Sequence, residues 1–186
     1  RIVGDKENAV RGFASAVARE PSDARLRAEY AEALFASDRS LEAAQQYDVA
    51  LELQLPERTS RAAKLLSECM FAYLWADPPT GFRGAITAYE RWSAHIPEAA
   101  TDGFVQVRLA AAHGQAHRWA VDHQDPGAAE LHAERALRAV TTALAANRGL
   151  ASVVESMVSP RGEDDDLVSL ERQVRAILDA GKASSV

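Results

Sequence analysis

The sequence predicts an all-α chain of stacked helix pairs, and three observations carry that reading. Alanine, leucine, arginine and glutamate, the strong helix formers, dominate the 186 residues. Apolar residues recur at helical spacing in segments of about 13 to 19 residues, separated by short Pro, Gly or Asp punctuation. No run alternates Val, Ile and Thr as a half-buried strand would, and no Asn-Gly pair marks a hairpin.

Taken in order, the first helical segment, Asn8 to Arg19, stops at Glu20-Pro21-Ser22-Asp23, where Ser22 or Asp23 offers an N-cap. A helix pair then runs to Leu55-Pro56-Glu57-Arg58, and Thr59 or Ser60 opens the next. That second pair, broken by Asp77-Pro78-Pro79-Thr80-Gly81, ends at Pro97. Thr101 or Asp102 opens a third, with its turn at Asp125-Pro126-Gly127. A short apolar helix from Ala151 follows, and Asp164 to Asp166 start a last one. There Leu167, Leu170, Val174, Ile177 and Leu178 recur at i, i+3, i+7, i+10 and i+11, with Glu171, Arg172 and Arg175 off the stripe. The aspartates favour the helix dipole at its positive end.

An internal repeat organises these elements. The quartet Ala9, Phe13, Ala16, Pro21 returns 34 residues later as Ala43, Tyr47, Ala50, with Pro56 one place late. It returns again as Ala85, Tyr89, Trp92, Pro97, and more weakly as Ala129, Ala133, Ala136. A small residue lets the neighbouring helix approach, an aromatic one turn later fills the gap between repeats, and proline ends the helix. Phe13, Tyr47 and Tyr89 are therefore expected in the core.

These residues resemble the tetratricopeptide (TPR) family, whose 34-residue unit carries W-x2-L-G-x2-Y…A-x3-F…P. Tyr30-Ala31-Glu32-Ala33-Leu34 followed by Ala43, Tyr47 and Ala50 is the best match. The resemblance implies a right-handed α-α superhelix, a solenoid of three to four helix pairs with a C-terminal capping helix. Residues 8–21 form a half repeat, 23–56, 59–97 and 102–145 form units, and 161–186 are cap and tail. The later units are longer: Ala43 to Ala85 spans 42 residues and Ala85 to Ala129 spans 44, which points to longer first helices or longer turns.

Composition excludes several function classes. The chain is 47% hydrophobic, too apolar for disorder, yet no run reaches a membrane span. A net charge of −6 argues against nucleic acid. The single cysteine, Cys69, excludes an intrachain disulfide framework and slightly favours a cytoplasmic setting. The start at Arg1-Ile2-Val3-Gly4 reads as a fragment or processed product, so an upstream signal and a periplasmic location stay open.

Histidines supply the most enzyme-like feature. His113 and His117 share a helix face at i, i+4, with His123 and His132 downstream. The 44-residue register sets Cys69 opposite His113, which would complete a Cys69/His113/His117 ligand set. No Glu stands at a general-base position, and Gly114 takes the small packing place, so ordinary packing or surface histidines are the expectation. Neither a metal nor another cofactor is expected, and Glu163 to Asp166 lack the spacing of a calcium loop.

The resemblance also implies a concave groove lined by the first helix of each unit. With the small eighth position at Ala31, Met70 and Gly114, the second positions are Arg25, Lys64 and Arg108. The ninth positions are Glu32, Phe71 and Gln115, with Phe35, Trp75, Arg118 and Trp119 near the helix ends. Cations in three first turns oppose the helix dipole, and with aromatics beside them would suit an acidic peptide or carboxylate. The chaperone-tail clamp of some TPR domains needs Asn at the ninth position, and none is present. The alternative is solvated cations and Trp side chains packed between helices. The expected function is non-catalytic binding of a protein or peptide partner. Its rivals are a scaffold segment of a larger bacterial assembly and a metal-dependent enzyme using His113 and His117.

Overall fold

The computed structural model describes residues 2–54, 61–159 and 165–183, with side chains over 5–54, 61–159 and 165–181. Nine α-helices lie among the described residues: α1 (Ile2–Arg19), α2 (Ala24–Ala36), α3 (Ser40–Gln54), α4 (Arg61–Leu74), α5 (Thr80–Ser93), α6 (Gly103–Asp122), α7 (Pro126–Ala146), α8 (Ala151–Met157) and α9 (Glu171–Ala183). Each of α1 to α6 packs on its successor, α4 also packs on α6, and α9 returns onto α7 and α8. No strand occurs among the described residues, and no helix there is long and apolar enough to cross a membrane.

Aspartates set the helix starts. Asp23 accepts from the Leu26 N–H and Asp102 from the Val105 N–H, each at 2.9 Å. Asp125 accepts from the Ala128 N–H at 3.0 Å, with Pro126 in the first helical turn. In each case the carboxylate satisfies a helix donor that would otherwise lack a partner. The signals at Leu55 to Ser60, and Asp164, lie outside the described residues.

The repeat residues pack as their sizes dictate. Ala43, Ala50, Ala85 and Ala136 are fully buried, and Tyr47 and Trp92 are buried beside them. The Trp92 indole N–H donates to Asp48 of α3. Arg91 pairs with the same carboxylate at 2.7 Å and lies 4.2 Å over the Trp92 ring. One carboxylate thus ties α5 to α3. Gln106 of α6 donates to the Tyr89 hydroxyl at 3.3 Å and to the Ala99 carbonyl at 3.0 Å, linking the second pair to the third. Tyr89 packs against the core as expected but is only half-buried, whereas the core expectation for Phe13 needs correction, since it is half-buried away from that core and Ala9 is exposed. α1 buries Val10 and Val17 instead, and its main partner in the chain is α2.

Extra length is spread over two places. The turn between α4 and α5 takes residues 75–79, whereas 37–39 suffice between α2 and α3. α6 runs 20 residues against 13 for α2 and 14 for α4.

The C-terminal segment differs from its sequence pattern. A continuous helix was expected from Leu167, but a 3-10 turn covers Val168–Leu170 and α9 starts at Glu171. The backbone is in use elsewhere: the Leu167 N–H donates to the Met157 carbonyl at 3.0 Å. The Asp166 carbonyl lies against Gly114, where an added Cβ would strike it and come within 2.8 Å of Leu167 Cδ2. A 3-10 turn also keeps i and i+3 on one side, so Leu167 and Leu170 stay buried with Val174 and Leu178, while Ile177 is half-buried.

Candidate functional site

Three aromatic side chains meet where α2 packs beside α4: Phe35 of α2, Phe71 of α4, and Trp75 in the turn that follows α4. Phe35 and Phe71 lie with ring centroids 5.4 Å apart. Trp75 stands edge-on to both, at 6.3 Å and 6.1 Å. Such pairs contribute about 0.5–1.5 kcal/mol each beyond area burial. Yet Trp75 stays 54% exposed, so the seam offers apolar surface that the chain does not cover. On α6, Phe104 is 55% exposed one turn before Arg108, on the same side of the helix.

The seam borders a cavity of about 160 Å³ between α4, α6 and Asp165-Asp166. The Arg108 guanidinium stacks 3.9 Å over the Phe71 ring, a cation–π contact strengthened by its partial burial. The Gln115 amide N–H donates to the Leu74 carbonyl at 3.2 Å and to an Asp166 carboxylate oxygen at 2.8 Å. Both partners are acceptors, which fixes the amide's orientation. Arg118 pairs with Asp165 at 3.0 Å. On the other side of Phe71, Glu32, Glu68 and Tyr47 line a second cavity of about 230 Å³ with Phe35. Glu32 and Glu68 therefore stand on one side of the aromatics, and Arg108 and Arg118, with Asp165 and Asp166 beside them, on the other.

The structure thus brings Glu32, Phe35, Phe71, Trp75, Arg108, Gln115 and Arg118 to one connected surface. The other sequence candidates line neither of these cavities. Arg25 pairs with Glu29 on its own helix at 3.1 Å and lines a separate cavity with Pro21 and Arg61. Lys64 is exposed two turns before Phe71. Trp119 faces Phe82 at 6.1 Å and stacks on the His123 ring at 4.0 Å, away from Trp75. Sequence reasoning missed Asp165 and Asp166 as parts of the site. Their partners lie 47 and 51 residues back, so no local pattern marks them.

The histidines do not form the Cys69/His113/His117 set that stood as the rival to ordinary packing. His113 Nδ1 and His132 Nδ1 lie 3.0 Å apart, so one ring donates and the other accepts, and the pair carries opposite tautomers. His117 contacts the Ser169 hydroxyl at 2.9 Å, and Cys69 donates to the Ala44 carbonyl at 3.5 Å. Cys69, His113 and His117 thus turn to three different partners. Among the described residues no group of three or more His, Cys, Asp or Glu could hold a metal. Burial pushes the Cys69 thiol up, as expected of a small buried residue rather than a nucleophile.

Burial pushes His113 down to about 3, reinforced by His132 and Arg135. Burial lowers His132 as well, then Arg135 and His117, with Asp125 opposing. The unfolded chain therefore binds protons below the ordinary value of 6.5 that the folded chain refuses. Stability should be full above about pH 6.5 and fall on acidification towards pH 3. Down to pH 4.5, His113 alone should remove on the order of 2–3 kcal/mol. Urea midpoints measured from pH 7.5 to 4.5 test this, and a flat profile would show that the histidine pair is not buried neutral.

Comparison with family models, with curated proteins and with solved structures finds no match.

Proposed function

We propose that the chain is a non-catalytic partner-binding module of the tetratricopeptide type. The helix pairs α2–α3, α4–α5 and α6–α7 stack as a right-handed superhelix, and α2, α4 and α6 line its concave groove. The order of packing, the extra contact of α4 with α6, and the buried Ala/aromatic repeat residues support this reading. The observation that carries it is Trp75, more than half exposed on an aromatic seam flanked by Arg108 and Arg118. A solvent-facing aromatic cluster beside arginines suits an extended protein or peptide segment with apolar and acidic side chains.

Capture of partners from a source-cell lysate tests the reading. Wild type is compared with Trp75→Ala/Arg118→Glu, two partly exposed positions whose change should leave folding intact. The partner should be lost by the variant. Retention by a folded variant would move the contact off this groove.

A further inference from the structure

The groove already holds a carboxylate-bearing segment, and it is the chain's own. Arg118 is engaged by Asp165 at 3.0 Å and the Gln115 amide by Asp166 at 2.8 Å, at the mouth of the cavity bordered by Trp75 and Arg108. The first contact is an ion pair and the second a hydrogen bond from a neutral amide to a carboxylate, and in each the two residues come from distant parts of the chain. Gln115 Oε1 is buried without a hydrogen-bond partner among the described residues. Since the amide N–H is committed to Leu74 and Asp166, that oxygen remains an unused acceptor beside the cavity.

We propose that this end of the groove is a carboxylate-reading site for an acidic extended peptide segment of a partner, and that Asp165 and Asp166 are its internal competitors. The proposal rests on the groove reading above and adds the ligand's chemistry and a restraint on access. The two halves of the C-terminal segment have different strengths. Leu167 and Leu170 are buried and hold the backbone against Gly114, so the segment stays seated. The side chains of Asp165 and Arg118 are about half exposed, at 51% and 41%, and such a pair is worth little in solution. An incoming acidic segment therefore displaces carboxylates, not the cap.

The test uses a fluorescein-labelled peptide of the chain's own residues 162–166, Gly-Glu-Asp-Asp-Asp, read by anisotropy at low ionic strength. Asp165→Asn/Asp166→Asn should bind it about fivefold more tightly than wild type, the size expected for removing one exposed ion pair while the Asp166→Asn side chain keeps an acceptor for the Gln115 amide. Adding Arg118→Gln to that variant should erase the gain. Unfolding midpoints establish that each variant is seated as wild type is. Equal affinity of wild type and the Asn variant would overturn the internal competition. A gain that survives Arg118→Gln would overturn the site. Partner capture lost in Trp75→Ala/Arg118→Glu alongside unchanged peptide affinity in the Asn variant would overturn this proposal and leave the groove reading standing.

Discussion

Replacing Trp92 by alanine is expected to cost about 3–5 kcal/mol of folding stability. The side chain is 4% exposed, sits under the Arg91 guanidinium and donates its indole N–H to Asp48. Truncation removes that apolar area and leaves a cavity between α3 and α5 that the fixed helix spacing lets collapse only in part. It also strips Asp48 of a donor, although Arg91 still pairs with it. Trp92→Phe helps to separate the two effects, losing the hydrogen bond but keeping most of the volume, so it should cost clearly less. Urea unfolding of both variants decides the matter, and near-wild-type stability of Trp92→Ala would mean that α5 does not depend on α3.

Leu167→Ala should cost about 2–5 kcal/mol, large for a residue outside regular helix. Its side chain is fully buried and its N–H is held by Met157. With Leu170 and Val174 it closes the end of the core that α6, α7 and α8 would otherwise expose. α6 gives up its side chain at Gly114 to make room, because a Cβ there would meet backbone, which cannot move aside as a flexible side chain could. Losing Leu167 should therefore loosen the C-terminal segment while the α2–α5 part keeps its helicity. Equilibrium unfolding read by near-ultraviolet and far-ultraviolet circular dichroism separates the two. An unaffected midpoint would show that the segment is not seated as a cap.

Local chemistry made the all-α fold legible, because helix formers, aspartate caps and apolar period act within a turn or two. Asp23 and Asp102 stand among the cap candidates and do cap. Burial at Ala43, Tyr47 and Trp92 followed from the repeat, since a small residue and an aromatic at fixed spacing imply a close neighbour. Tyr89 and Phe13 are less buried than the repeat predicts, because period names a face but not how completely another helix covers it. The start of α9 was missed for a related reason: the apolar stripe reads alike through a 3-10 turn and an α-helix, and the choice is made by Met157 and Gly114. In the site, helix spacing alone set Trp75, just past the end of α4, one turn beyond Phe71 on the same side. It could not separate Trp119 from Trp75, since a one-position rotation about α6 turns a side chain from the seam towards α5. The Asp165–Arg118 and Asp166–Gln115 pairs required the fold itself.

The measurement that bears most directly on groove binding pairs Trp75→Ala/Arg118→Glu with a matched change on the exposed face of α7, Leu131→Ala/Arg138→Glu. Both variants are checked for wild-type unfolding midpoints, and each is used to capture partners from the same lysate. Groove binding predicts loss of the partner with the first variant and full retention with the second. Retention with the first variant and loss with the second would contradict it.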